Sequence, residues 1–98
     1  MVEKLSADEV TRELASLNEQ ADAPWEISGE RLCKDFEFRD FVTAFGFMTA
    51  VALCAERANH HPDWSNAYKR VHIELTTHEV GGLSQRDFDL ARQIEQLA

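Results

Sequence analysis

Apolar residues recur at helical spacing in three stretches of the chain and at alternating spacing in the two stretches between them. Val10, Leu14 and Leu17 stand at i, i+4 and i+7, the stripe of an amphipathic helix. Ser6 with Glu9 three residues later forms a capping box, and Leu5 ahead of the cap can staple onto Val10. The pattern predicts a first helix after Ser6 that fades between Asn18 and Ala23, before Pro24. Trp25 and Ile27 then alternate ahead of a turn at Ser28-Gly29-Glu30, and Leu32, Phe36 and Phe38 share one parity after it. That is a hairpin over Trp25 to Phe38 with one face towards the core.

Asp40 is placed to cap a long second helix running to about Ala58. Phe41, Phe45, Met48, Ala52 and Ala55 follow one face of it, Phe47, Val51 and Cys54 extend that face sideways, and Ala50 and Leu53 widen it further. A helix apolar over more than one stripe is normally buried on more than one side. In so small a domain one side packs on the sheet, and the surplus predicts a subunit interface. Pro62 prevents continuation of the helix. Tyr68 to His78 reads as a strand, with Val71, Ile73 and Leu75 alternating against Arg70, His72, Glu74 and Thr76, and Trp64 to Asn66 as its short hairpin partner. Gly81-Gly82 breaks the chain. Ser84 caps a last helix with Asp87 at its third position, and Phe88, Leu90, Ala91, Ile94 and Leu97 face inward. The order αββαββα predicts an α+β fold, a four-stranded antiparallel sheet with helices packed on one face.

Ninety-eight residues make one domain, 1–98, with room for one core. Eighteen acidic residues against ten basic ones give a net charge of −8, which repels phosphate backbones. The basic residues are single or, as in Lys69-Arg70, paired, so no nucleic-acid-binding patch is expected. Cys33 and Cys54 lack zinc-type spacing and read as two reduced thiols, one on a strand and one on a helix. No basic segment followed by an apolar one opens the chain, so no secretory signal is expected. The most apolar stretch, Phe47 to Ala55, is far shorter than the ~20 residues that span a bilayer. A soluble, intracellular protein is expected.

Three of the four histidines fall in two short segments that can converge: Asn59-His60-His61-Pro62-Asp63-Trp64 and Thr76-Thr77-His78-Glu79. Histidine alone titrates near neutral pH with an unperturbed side chain, so the set points to proton transfer or to a metal site. Catalytic zinc takes about three protein ligands, but adjacent residues project apart and no HExxH or cysteine pattern supports the site. The bland alternative is that such histidines cap helix ends. His72 lies mid-strand opposite the apolar parity and reads as a solvated residue. Asp87 can orient a histidine, though a capping box and the helix dipole account for it equally. Trp64 offers a face to a flat heterocycle or anchors the hairpin core. Glu56 and Glu79 flank the histidines and can stabilise a histidine cation. No nucleophile with an adjacent base, phosphate loop or dinucleotide fingerprint is present. These parts suit acid–base work on a small molecule.

His60-His61-Pro62, Trp64, Tyr68, the alternating Val71, Ile73 and Leu75, Thr77-His78, Gly82-Leu83-Ser84 and Asp87 together resemble the pterin-4a-carbinolamine dehydratase family. Upstream, Phe36-Glu37-Phe38, Asp40-Phe41 and Ala44-Phe45-Gly46-Phe47-Met48 resemble its animal members, and the likeness runs from Trp25 onward. Asn59 stands where some members carry Asp. The resemblance implies dehydration of 4a-hydroxytetrahydropterin to quinonoid dihydropterin in tetrahydrobiopterin recycling, with neither metal nor organic cofactor. It implies His60 and His78 as the acid–base pair and His61 as the residue orienting the pterin. Asn59, Thr76, Thr77 and Glu79 would line the same pocket, with Trp64 and Asp87 in support. Which histidine is acid and which is base stays open. The family also implies a second role, as a dimerisation cofactor (coactivator) of a homeodomain transcription factor, and with it the nucleus as a location beside the cytoplasm. In that role the central helix, residues 40–58 here, pairs with itself to make a homotetramer, a dimer of dimers, or pairs with the partner's helices.

Overall fold

The structure, a computed structural model, describes residues 2–98. Its elements run α1 (Ala7–Asn18), β1 (Glu26–Ser28), β2 (Arg31–Glu37), α2 (Phe41–Ala58), β3 (Asp63–Ala67), β4 (Arg70–Leu75), a 3₁₀ turn (His78–Val80) and α3 (Gln85–Leu97). The sheet is antiparallel throughout, in the order β1-β2-β4-β3, with the helices on one face. This is the α+β arrangement that the hydrophobic pattern predicts.

The helices begin where side chains satisfy their free N–H groups. Ser6 and Glu9 make the reciprocal pair of bonds at α1, Asp40 Oδ1 accepts from the Thr43 N–H at 2.8 Å, and Ser84 and Asp87 repeat the box at α3. After α1, the Asn18 side chain bonds both the N–H and the carbonyl of Trp25 (2.8 and 3.0 Å), which fixes the entry to the sheet. Leu32, Phe36, Val71, Ile73 and Leu75 from the covered face of the sheet pack with Leu17, Val51, Phe88, Leu90, Ala91 and Ile94 from the helices.

The row of α2 turned to this core is Ala44, Phe47, Val51 and Ala55. The neighbouring row is not covered: Phe41 is 46% exposed, Val42 77%, Phe45 55% and Leu53 64%. By length and composition α2 is an 18-residue helix apolar enough to cross a membrane, at mean hydropathy 1.3. At 1.5 Å per residue it measures about 27 Å, just short of a ~30 Å hydrocarbon layer, and its inner row is packed on the domain's own core.

Three expectations need correction. The last strand ends at Leu75 rather than His78: Thr76 Oγ1 donates to the Glu30 carbonyl at 2.8 Å, and Thr77 pairs with Gly82 across a reversal that Gly81 makes with φ +67°. Ile27 has core parity but stays partly exposed, because β1 is a three-residue edge strand beyond the helices' cover. Leu97, in the last turn of α3, is likewise open to solvent.

Candidate active site

The end of α2 sets the first part of the site. Asn59 takes a left-handed conformation (φ 52°, ψ 43°), which asparagine enters more readily than most residues. Its N–H reaches the Glu56 carbonyl at 3.1 Å and the His60 N–H reaches that of Ala55 at 3.0 Å, the bond pair of a Schellman motif. The reversal carries His60 inward, where it is buried, and leaves His61 at the surface with Nε2 2.9 Å from Glu56 Oε1.

The start of α3 supplies what His60 meets. Asp87 is fully buried; its Oδ2 accepts from the Ser84 N–H (2.9 Å) and from Thr77 Oγ1 (2.8 Å), and its Oδ1 lies 2.6 Å from His60 Nε2. The cap and the histidine partner are therefore the same carboxylate, one oxygen for each task. A carboxylate so bonded accepts from Nε2–H and fixes the ring's tautomer.

His78 opens the 3₁₀ turn and is largely exposed, its Nε2 4.0 Å from Asp63 Oδ2. Asp63 is in turn held by Arg31 at 2.6 Å, and Arg31 also reaches Glu74 at 3.3 Å. Glu79 pairs with Arg86 of α3 at 3.2 Å rather than with a histidine.

An open cleft of about 320 Å³ is lined by Asn59, His60, His61, Pro62, Asp63, Thr76, Thr77, His78 and Glu79. All seven residues expected to bind substrate thus share one cleft. Asp87 stands behind it, under His60. Trp64 is not among the lining residues: it pairs opposite Ile73 on the covered face of β3 and packs against the core. Asp63 and Arg31 were missed from sequence. Asp63 adjoins the His-His-Pro run, but Arg31 is 32 positions away and only the sheet brings it near. Among the described residues no set of three or more His, Cys, Asp or Glu side chains could hold a metal ion. His60 turns to Asp87 and His61 to Glu56.

On the open face of the sheet, His72 is more than a solvated strand residue. Its two ring nitrogens bond Asp35 and Glu74, and these bonds, Glu74's first, raise its pKa above the ordinary value. Burial pushes the nearby Cys33 thiol up.

Comparison with known proteins agrees with this fold. A profile of the family described as pterin 4 alpha carbinolamine dehydratase matches residues 3–97. A protein of Solibacter usitatus (strain Ellin6076), bearing the provisional name pterin-4-alpha-carbinolamine dehydratase, is 44% identical over 98 residues, 100% of this chain and 98% of its own. One of Prochlorococcus marinus (strain MIT 9303), with the same provisional name, is 59% identical over 73 residues, 74% of this chain and 76% of its own. Among solved structures, a transcriptional coactivator/pterin dehydratase from Brucella Melitensis superposes with a TM-score of 0.87 at 39% identity, covering 97% of this chain and 98% of that one. A pterin dehydratase-like RuBisCO assembly factor of the alpha-carboxysome shares the fold, with a TM-score of 0.63 at 23% identity over 76% of this chain and 86% of its own. With the family profile covering nearly every residue and a full-length relative at 44% identity, the chain belongs to the pterin 4 alpha carbinolamine dehydratase family.

Proposed function

We propose that the chain dehydrates a 4a-hydroxytetrahydropterin to the quinonoid dihydropterin, as a step of tetrahydrobiopterin recycling. His60 and His78 transfer the protons and His61 binds and orients the pterin. The observation that carries this reading is the placement of a buried histidine on a buried carboxylate, His60 on Asp87 at 2.6 Å, in the same cleft as His78. In the reaction the C4a–O bond breaks, the departing hydroxide takes a proton and leaves as water, and a ring nitrogen gives up its proton. One acid and one base on the cleft wall serve that balance, and such help is worth roughly 10²–10⁴ in rate. With Nε2–H donated to Asp87, Nδ1 is the His60 nitrogen left for the ligand. The neutral ring offers a lone pair there, the imidazolium offers a proton, and both forms keep the Asp87 bond.

The test is the disappearance of 4a-hydroxytetrahydropterin absorbance with and without protein in EDTA-containing buffer. Acceleration is expected, reduced at least tenfold in His60→Ala and in His78→Ala, with circular dichroism unchanged. Wild-type rates in both variants would falsify the assignment.

A second reading, compatible with the first, rests on the exposed row of α2. Phe41, Val42, Phe45 and Leu53 form an apolar surface suited to helix-on-helix pairing. We infer that α2 mediates assembly, either of this chain into a dimer of dimers or with the dimerisation helices of a transcription factor. The similar Brucella protein carries coactivator as part of its name.

A further inference from the structure

Thr77 lines the cleft only marginally, since its side chain is buried with its hydroxyl spent inside the domain. Its Oγ1 lies 2.8 Å from Asp87 Oδ2 and 2.7 Å from Ser84 Oγ. The donors can be assigned by counting. An ionised Asp87 has no proton to give, so the single Thr77 hydroxyl proton goes to Oδ2. Thr77 must then accept from the Ser84 hydroxyl, whose oxygen accepts in turn from the Arg86 N–H at 3.3 Å. The second donor to Oδ2, the Ser84 N–H, belongs to the backbone at the start of α3. Oδ2 is held by two donors anchored on different elements, and Oδ1 is thereby presented to His60.

Thr77 itself has little freedom. Its N–H bonds the Gly82 carbonyl at 2.9 Å, its own carbonyl accepts from Val80 and Gly82, and its branched Cβ restricts χ1. The next residue in the chain is His78. The same short piece of backbone therefore carries one histidine directly and sets the other through Asp87.

We propose that Thr77 is a positioning residue that locks the Asp87 carboxylate and so holds the His60 imidazole in a single tautomer, with Nδ1 facing the cleft. This rests on the dehydratase reading for its kinetic consequence but not for its structural one. Valine, isosteric with threonine, removes both hydroxyl bonds. It leaves Oδ2 with one donor and the buried Ser84 hydroxyl with no acceptor, a situation buried polar groups avoid. The carboxylate can then rotate, and the ring loses its fixed partner.

The experiment has two readouts on the full chain, wild type and Thr77→Val, with Thr77→Ser as the conservative rescue. The first is nitrogen-15 NMR of the His60 ring without substrate. Wild type and Thr77→Ser should show one tautomer protonated at Nε2, and Thr77→Val a mixture. The second is steady-state dehydration: Thr77→Val should lower kcat at least tenfold with KM within threefold, and Thr77→Ser should stay within threefold of wild type in both. A single Nε2–H tautomer and wild-type kcat in Thr77→Val would overturn the proposal. A wild type with no dehydratase activity would defeat the functional reading alone, since the NMR arm still decides the positioning role. If Thr77→Val does not fold, Thr77→Ala takes its place, because it also removes the hydroxyl donated to Oδ2 and sets no methyl group against the Ser84 hydroxyl. A tautomer mixture there supports the relay; an unchanged single tautomer overturns it.

Discussion

His72 sits on the open face of the sheet between Asp35, opposite it on β2, and Glu74, two residues along its own strand. Hydrogen bonds donated to Glu74 and then to Asp35 raise its pKa above the ordinary 6.5. A folded-state pKa above the unfolded one means that the ring's contribution to stability is complete below about pH 6.5 and is lost as pH rises through the raised value. The urea midpoint should therefore fall over the pH range just above 6.5, and His72→Gln should flatten that slope by lowering the midpoint on the acid side, where the ring's contribution is complete. A wild-type midpoint that rises across this interval would sink the account. The effect is modest, since the side chain is partly solvated and screened. Strand parity placed His72 on the outer face, and that much was legible. Its carboxylate partner across the strands was not, because Asp35 is 37 positions away and only the β2–β4 register brings the two together. The same limit hid Arg31 and Asp63. By contrast, the roles open to Asp87 could be read locally, since Ser84 and Asp87 are a capping box in any context. What the spacing could not say was that the second oxygen of that cap is turned to His60.

At the level of elements, the starts of all three helices were readable because caps act over three residues, within reach of a sequence pattern. The end of β4 was not, because alternation continues through Thr76 while the chain has already turned to follow the bonds of Thr76 and Thr77. The burial of Lys34 also escaped the pattern. Its parity is that of Leu32 and Phe36, so it points under the helices, where its ammonium meets Glu95 Oε2 of α3 at 2.6 Å and lies 4.6 Å above the Phe36 ring. The same Glu95 oxygen accepts from Trp25 Nε1 at 2.8 Å. One carboxylate thus joins α3 to both β2 and the segment ahead of β1. Glu95→Ala would leave a buried ammonium without a counter-charge and an indole N–H without an acceptor. Breaking such a pair from one side typically costs 3–5 kcal/mol, and the slight exposure of Glu95 favours the lower figure, about 3 kcal/mol. Urea unfolding monitored by tryptophan fluorescence gives the value; a loss below ~1 kcal/mol would show that Lys34 finds water instead of staying buried.

For the whole molecule, the separation of chemistry from assembly follows from the axis of α2. The core row and the exposed row share one helix, but the cleft begins only at its C-terminal end, with Asn59 and His60. Phe45 stands fifteen residues before His60, roughly 20 Å along the helix. Phe41 and Phe45 pack ring to ring at 5.8 Å on the solvent side, and neither lines the cleft. A monomer would leave these rings in water, at a cost of roughly 25 cal/mol per Å² of apolar surface, which pairing of α2 with another helix removes. Phe45→Ser should therefore shift the molecule towards smaller species in size-exclusion chromatography with light scattering, while its dehydration rate stays within twofold of wild type and His60→Ala does the reverse. The two variants form a crossed test. If wild type is monomeric at every concentration, the exposed row has no self-partner and the dimer-of-dimers reading fails. If Phe45→Ser loses turnover in step with its loss of assembly, the cleft depends on a neighbouring subunit and the independence argued from the helix axis is wrong.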